Sequence, residues 1–182
     1  MSRITRPLVA SALCLALAGC AAVPDFWPAR TQAAAAPTGI AGAEDLIRAL
    51  FEAPDWEGTG GPRQARLAWM TPALAEASLR LDAATDDIGV GMEPSVGSNY
   101  IHVTGARYQT RPTPWGAEVH VRFLNTRQPR ETRFELVMTD AGWRVADIVG
   151  TDPETGRTWR YTDQMAEVFA AVARGEGPRD PS

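Results

Sequence analysis

The chain has 182 residues, 22 acidic and 18 basic, and a formal net charge of −4 at pH 7. This balance disfavours nucleic-acid binding, which needs a basic face or stripe. About 130 residues follow a low-complexity N-terminal stretch, enough for one domain with a real core but not for two.

The first twenty residues have the layout of an export signal. Arg3 and Arg6 form a positive flank, and an apolar run from Pro7 to Leu17 follows, too short to cross the ~30 Å hydrocarbon core of a membrane as a helix. The run ends in Leu17-Ala18-Gly19-Cys20, which resembles the lipobox of bacterial lipoproteins. That resemblance implies diacylglycerol on the Cys20 thiol, cleavage before Cys20, and acylation of the new amino group. The alternative is an ordinary secretory signal with Cys20 incidental.

The lipobox also predicts where the protein works. Residues 1–19 would be the signal peptide, and the mature chain would be held to a membrane by fatty acyl chains such as palmitate on Cys20. Ala21 and Ala22 lack the aspartate that often retains lipoproteins at the inner membrane, so we expect outer-membrane attachment facing the periplasm of a Gram-negative bacterium. Cys14 leaves with the signal, which excludes disulfides and thiol catalysis in the mature domain.

Residues 20–42 are rich in Ala and Pro and show no sustained apolar periodicity. They predict a flexible tether with an end-to-end distance of about 25 Å. Phe26 and Trp27 lie close to the predicted anchor. They either touch the membrane interface or simply crowd the anchor.

Three helices are predicted before any strand. Leu46, Ile47, Leu50 and Phe51 share one face of a helix from Ala43 to about Ala53. A second helical stretch covers 63–70, and a third begins with Thr71 as N-cap and Pro72 as its first residue. The side chains that share the inner face of this third helix are Leu74, Ala77, Ser78 and Leu81. A long loop is predicted to follow it over residues 82–99.

The second half of the sequence predicts an antiparallel meander followed by a helix. Alternation indicates four strands, and a turn cluster at 152–156 separates them from a last helix. Hairpin connections are predicted at 112–116 and 140–142, and residues 175–182 form a predicted disordered tail. The strands are expected at about 100–110, 117–124, 131–139 and 143–149, and the helix at 163–174.

This order of elements predicts a single α+β domain over 43–174, with N-terminal helices packed on one face of a curved antiparallel sheet of about four strands. The chain resembles the nuclear transport factor 2-like cone fold in three features. These are the order of its elements, the stretch Phe134-Glu135-Leu136-Val137-Met138, and the stretch from Gly142 to Ile148. Within this fold, the sequence resembles bacterial periplasmic and lipoprotein families of the domain-of-unknown-function 3828 type. This superfamily includes ketosteroid isomerase-like and polyketide cyclase-like enzymes beside non-catalytic modules, so fold does not decide function. Its members often dimerise through their sheets, which makes a homodimer possible.

Asp147 is the main candidate for chemistry. Strand alternation places it on the apolar face with Trp143, Val145 and Val149, where a carboxylate must be paired, hydrogen-bonded or neutral. One hypothesis makes it a general base in a cone-shaped ligand pocket lined also by Tyr108 and Trp143. The other makes it a structural residue that bonds a backbone amide or an arginine from the helices.

Other charged residues have structural as well as functional interpretations. Asp86 and Asp87 lie in the long loop but match no calcium-binding pattern, so turn formation is the simpler account. His102 and His120 are predicted in strands without further ligands, and neither a metal nor a cofactor is predicted. One arginine on each of three strands forms a possible stripe for an anionic partner, although Glu118 and Glu135 between them favour cross-strand ion pairs; these arginines are Arg122, Arg133 and Arg144.

Three functions are therefore considered. The first is a non-enzymatic envelope module that binds a periplasmic protein or small ligand. The second is an isomerase-like or cyclase-like enzyme using Asp147, and the third is an immunity or inhibitor lipoprotein. An open apolar pocket exposing Asp147 would favour the enzyme, whereas an interior filled by Trp143, Phe123 and Phe134 would favour the binding module.

Overall fold

A computed structural model describes residues 40, 42–52, 67–153 and 155–176 of the chain. The predicted signal peptide, Cys20, Phe26, Trp27 and nearly all of the tether lie outside these residues, as do 63–66 and 177–182. The described part has three helices, α1 Ala43–Glu52, α2 Pro72–Ala84 and α3 Tyr161–Ala173. Its five strands are β1 Val103–Thr113, β2 Gly116–Asn125, β3 Gln128–Thr139, β4 Gly142–Thr151 and β5 Thr158–Arg160.

The α+β class is confirmed, and the sheet has five strands in the order β1-β2-β3-β4-β5, all antiparallel. The strand that alternation missed is β5, because three residues are too few to show a period. Trp159 of β5 pairs with Gly150 of β4, and a Cβ built on Gly150 would lie 2.1 Å from the Trp159 ring, so only glycine leaves room for it.

The first two helices follow their predicted patterns. Ile47, Leu50 and Phe51 of α1 are buried, as the stripe required. Thr71 caps α2 by accepting a 3.3 Å hydrogen bond from the Leu74 amide, with Pro72 at the first position. No helix in the described ranges is long and apolar enough to cross a membrane.

The turn between β2 and β3 departs from the prediction. The sequence left a gap between the two strands, but they continue to a two-residue turn of Thr126 and Arg127. Both residues have positive φ, 49° and 70°. This is the backbone of a tight hairpin, which usually takes Asn-Gly, so the sequence carried no visible turn signal here.

The helices cover the apolar side of the sheet. Alternating residues of β2 and β3 point into this core, as strand alternation predicted. The segment before α2 extends the sheet edge, because the Val145 amide donates to the Trp69 carbonyl and the Thr71 amide to the Val145 carbonyl, both at 2.8 Å. The buried core includes Ile47, Leu74, Leu81, Val96, Val119, Val121, Phe134, Leu136, Val145 and Ile148.

Candidate functional site

Asp147 lies on the polar side of the sheet, opposite the side predicted for it. Leu136 pairs with Val145, but the next pair is Glu135 with Asp147, so Ala146 is an extra residue in β4. This β-bulge reverses the alternation along the strand. The placement of Asp147 on the apolar face was therefore wrong.

The Asp147 carboxylate is buried, with 2% of the residue exposed, and is surrounded by donors. Its Oδ1 accepts from the Ile148 amide at 2.8 Å and from the Thr162 amide at 3.3 Å. Its Oδ2 accepts from the Thr162 hydroxyl at 2.9 Å and from Arg160 Nε at 3.0 Å. A carboxylate has about four acceptor positions, so no position is left for a substrate proton.

Arg160 links this carboxylate to the neighbouring strand. Its Nη2 lies 2.8 Å from Asp147 Oδ2 and donates at 2.6 Å to Glu135 Oε2. Burial alone would lower the pKa of Arg160, but the hydrogen bond to Glu135 and the charges of Asp147 and Glu135 outweigh burial and raise it. The arginine is fixed as a cation between two carboxylates.

A second group of ion pairs continues across the sheet from Glu135. Arg133 Nη2 lies 3.4 Å from Glu135 and its Nε lies 3.9 Å from Glu118, which also bonds Arg111. Burial alone would raise the pKa of Glu118, but the hydrogen bond from Arg111 and the charge of Arg133 lower it. Three carboxylates on this side are nearly inaccessible, namely Glu118, Glu135 and Asp147.

The predicted arginine stripe is divided among these pairs. Arg122 donates to Glu131 at 3.0 Å, and Arg133 lies between Glu118 and Glu135. Arg144 donates from Nη1 to the Trp143 carbonyl at 2.7 Å. The cross-strand ion pairs expected from interleaved glutamates are present for two of the three arginines.

The two histidines lie apart in the fold. His120 is in β2, where its ring nitrogens lie 3.5 Å from Glu118 and 3.4 Å from Glu131. His102 precedes β1 rather than lying in it, and its amide donates to Asn125 Oδ1 at 2.8 Å. Among the described residues, no cluster of three histidine, cysteine or carboxylate side chains has the arrangement of a metal site.

Asp86 and Asp87 form the turn after α2. Both have positive φ, 49° and 69°, a conformation that aspartate tolerates better than most residues. The Asp87 amide donates to the Asp82 carbonyl at 2.9 Å. These contacts agree with the turn-forming interpretation.

The three residues proposed to line a pocket do not come together. Tyr108 pairs with Val121 in the middle of the sheet, whereas Trp143 pairs with Met138 at its end. Asp147 lies on the other side. Tyr108 is half-buried under the Arg48 guanidinium, 4.2 Å from its ring centre. Burial raises the pKa of its hydroxyl.

The space where a cone-shaped pocket was expected is filled by aromatic rings. Phe51 packs edge-on against Phe123 and Phe134, with ring centres 5.3 Å and 5.9 Å away, and against Tyr108 at 6.2 Å. Phe123, Phe134 and Trp143 are all buried. These rings therefore fill the space between α1 and the strands that it covers.

A small cavity of about 80 Å³ lies elsewhere, beneath the loop that follows α2. Met70, Ile88, Ser78 and Tyr161 are among its lining residues, and the Tyr161 hydroxyl donates to Ser78 Oγ at 3.1 Å. A volume of this size holds about two or three water molecules rather than a metabolite.

Sequence reasoning did not identify Arg160 and Thr162 as the partners of Asp147, nor Glu135 as the strand neighbour that shares Arg160 with it. The polar-apolar-polar alternation of Thr158, Trp159 and Arg160 was the only local signal, and it is short. The two partners and the strand neighbour of Asp147 are at least 12 positions from it along the chain. Only the folded sheet brings them together.

Comparisons with protein-family models, curated proteins and solved structures return no match. The α+β class is therefore supported by the structure alone. The resemblances to the lipobox and to the cone fold are supported only by the sequence motifs described above.

Proposed function

We propose that the chain is a lipid-anchored lipoprotein of the outer membrane, held through Cys20, whose periplasmic domain acts by binding a partner rather than by catalysis. The Leu17-Ala18-Gly19-Cys20 motif behind a charged and apolar leader supports the anchor. Two helices before the antiparallel meander and one after it are compatible with a nuclear transport factor 2-like cone domain.

The observation that carries the binding role is the closed interior. Phe51, Phe123 and Phe134 fill the apolar side of the sheet with ring contacts. A pocket enzyme needs an enclosed space of several hundred Å³ beside its reactive groups. No such space adjoins Asp147 in the described residues, and its oxygens are occupied by Arg160 and Thr162. An isomerase-like role for Asp147 has no substrate-facing oxygen to use.

The partner is expected to be a periplasmic protein that meets the surface of the domain. Among the described residues, Tyr100 is the most exposed large apolar side chain, 78% accessible, and Leu124 is 43% accessible. The two are close, because the Tyr100 carbonyl accepts from Asn125 Nδ2 at 2.7 Å. Exposed tyrosine is typical of protein interfaces.

The anchor is tested by expressing the full chain in a Gram-negative host fed with an alkyne-tagged palmitate. Incorporation of the tag and a mass spectrum of a lipidated peptide beginning at Cys20 are expected. The matched control is Cys20→Ser, which removes the thiol and should carry no tag. An unlipidated wild-type chain would contradict the anchor.

The binding role is tested with a photo-crosslinking residue at position 100 in the lipidated protein in intact envelopes. A discrete crosslinked protein is expected from position 100. The matched control carries the crosslinker in place of Leu79 on α2, which is 51% exposed. Equal or absent crosslinking at both positions would contradict a protein partner at this surface.

A further inference from the structure

One end of the sheet carries two exposed apolar side chains. The β1–β2 and β3–β4 turns both lie there, and we call this the hairpin end, defined by residues 113–116 and 139–142. Trp115 is 46% exposed and so is Met138. Ala117 pairs with Leu136, which is two residues from Met138 as Ala117 is from Trp115, so both side chains lie at this end of the sheet.

The chain enters the described domain at the same end. A Cβ built on Gly42 would lie 3.4 Å from the Trp143 ring, and Trp143 is the strand partner of Met138. Glu44, in the first turn of α1, accepts a 2.8 Å hydrogen bond from Thr110 Oγ1, near the end of β1. The start of α1 is therefore adjacent to the hairpin end.

We infer that the hairpin end rests on the phospholipid surface, with Trp115 and Met138 in the membrane interface. The inference rests on the proposed lipid anchor at Cys20. The sequence predicts a flexible tether of about 25 Å between Cys20 and Gly42, and a tether of that length would hold the hairpin end close to the lipid headgroups. Tryptophan favours this interfacial region, where an apolar ring and a polar N–H are both accommodated.

The predicted tether would strengthen the membrane binding of this small apolar patch. Two side chains bury too little area to hold a free domain on a membrane, but a tethered domain meets the surface at a high effective concentration. Contact through this end points the opposite end of the sheet, with Tyr100 and Leu124, toward the periplasm.

The test uses the full lipidated protein in phosphatidylethanolamine and phosphatidylglycerol vesicles. A single cysteine replaces Met138 or, as the matched control, Leu124, which is 43% exposed and lies on β2 beside the β2–β3 turn. Each thiol carries an environment-sensitive fluorophore, and lipid-borne quenchers report its contact with the membrane. The mature chain has no other free thiol when Cys20 is lipidated.

Quenching several-fold stronger for Met138→Cys than for Leu124→Cys is expected, and adding Trp115→Glu should reduce it toward the control. Equal quenching at the two positions in a chain shown by mass spectrometry to be lipidated overturns this inference alone. A mass spectrum without lipid overturns the anchor and this inference with it. Unchanged thermal unfolding of the labelled variants checks that the fold is intact.

Discussion

Asp147 of β4 caps helix α3 by accepting both the amide and the hydroxyl of Thr162, at 3.3 Å and 2.9 Å. The residue before the helix, Arg160, makes no side-chain cap of its own. A carboxylate at the N-terminus of a helix satisfies an unpaired N–H and meets the positive end of the helix dipole. The most buried carboxylate of the described residues thus caps the start of the last helix.

Replacing Asp147 by Asn is expected to lower the free energy of unfolding by about 2 kcal/mol, because Arg160 loses a charged partner and an amide group faces its guanidinium. Urea unfolding measures the loss, and faster hydrogen exchange at the Thr162 amide reports the weakened cap. Arg122→Gln is the control, since the exposed Arg122–Glu131 pair should change stability by less than about 0.5 kcal/mol. Wild-type stability in Asp147→Asn would contradict the structural role.

Stability is expected to fall in acid. The pKa values of Glu118 and Glu131 are lowered from 4.5 because their arginine partners outweigh burial. Groups with a lowered pKa in the folded state stabilise the fold above their ordinary pKa and lose that contribution as the pH drops through the folded-state value. The melting temperature should therefore fall as the pH drops below about 4.5, the ordinary pKa of a glutamate, toward the lowered pKa values of the folded state.

The variant Glu118→Gln tests that acid dependence. It should have a lower melting temperature near neutral pH and a shallower decline in acid, because one of the titrating carboxylates is gone. Thermal melts followed by circular dichroism at several pH values give both quantities. An unaltered slope would show that Glu118 does not contribute.

The β2–β3 turn is expected to gain stability from Asn-Gly in place of Thr126 and Arg127. Both residues now adopt a left-handed backbone that costs energy for side chains larger than glycine or asparagine. The free energy of unfolding of the double variant should be about 1 kcal/mol higher than that of the wild type. Chemical denaturation measures the gain, and a loss of stability would mean that the Thr126 hydroxyl, which donates to the Asn125 carbonyl at 2.7 Å, matters more.

Removing the central ring is expected to cost far more than removing a surface side chain. Phe51→Ala should reduce the free energy of unfolding by about 3 kcal/mol, because the packed rings cannot close the gap. Leu79→Ala on the exposed face of α2 is the comparison and should cost less than about 0.5 kcal/mol. Similar losses in both variants, measured in urea, would indicate that Phe51 is not at the centre of the core.

Local chemistry made much of the fold predictable. The Thr71 cap and the α1 stripe each depend on residues within one or two helical turns, and the structure has both. Alternation in β2 and β3 likewise marks which side chains face the apolar core. These patterns depend on neighbours in the chain, so they are visible without the fold.

The candidate site was less predictable for a specific reason. One extra residue, Ala146, moves Asp147 to the other side of the sheet. The same sequence is equally compatible with a regular strand that has no bulge. The turn at Thr126 and Arg127 contains no glycine that would indicate it in the sequence. Neither feature changes the hydrophobic pattern, because each is decided by pairing with a neighbouring strand.

The sequence by itself determined the α+β class, the register of the helices, and the Cys20 motif from which the lipid anchor is proposed, since each is written in contiguous residues. Only the tertiary structure decided the role of Asp147. Its partners Arg160 and Thr162 come from β5 and α3, which hydrogen bonding of the folded sheet places beside it. A carboxylate's chemistry depends on the donors around it, and those donors are assembled by the fold.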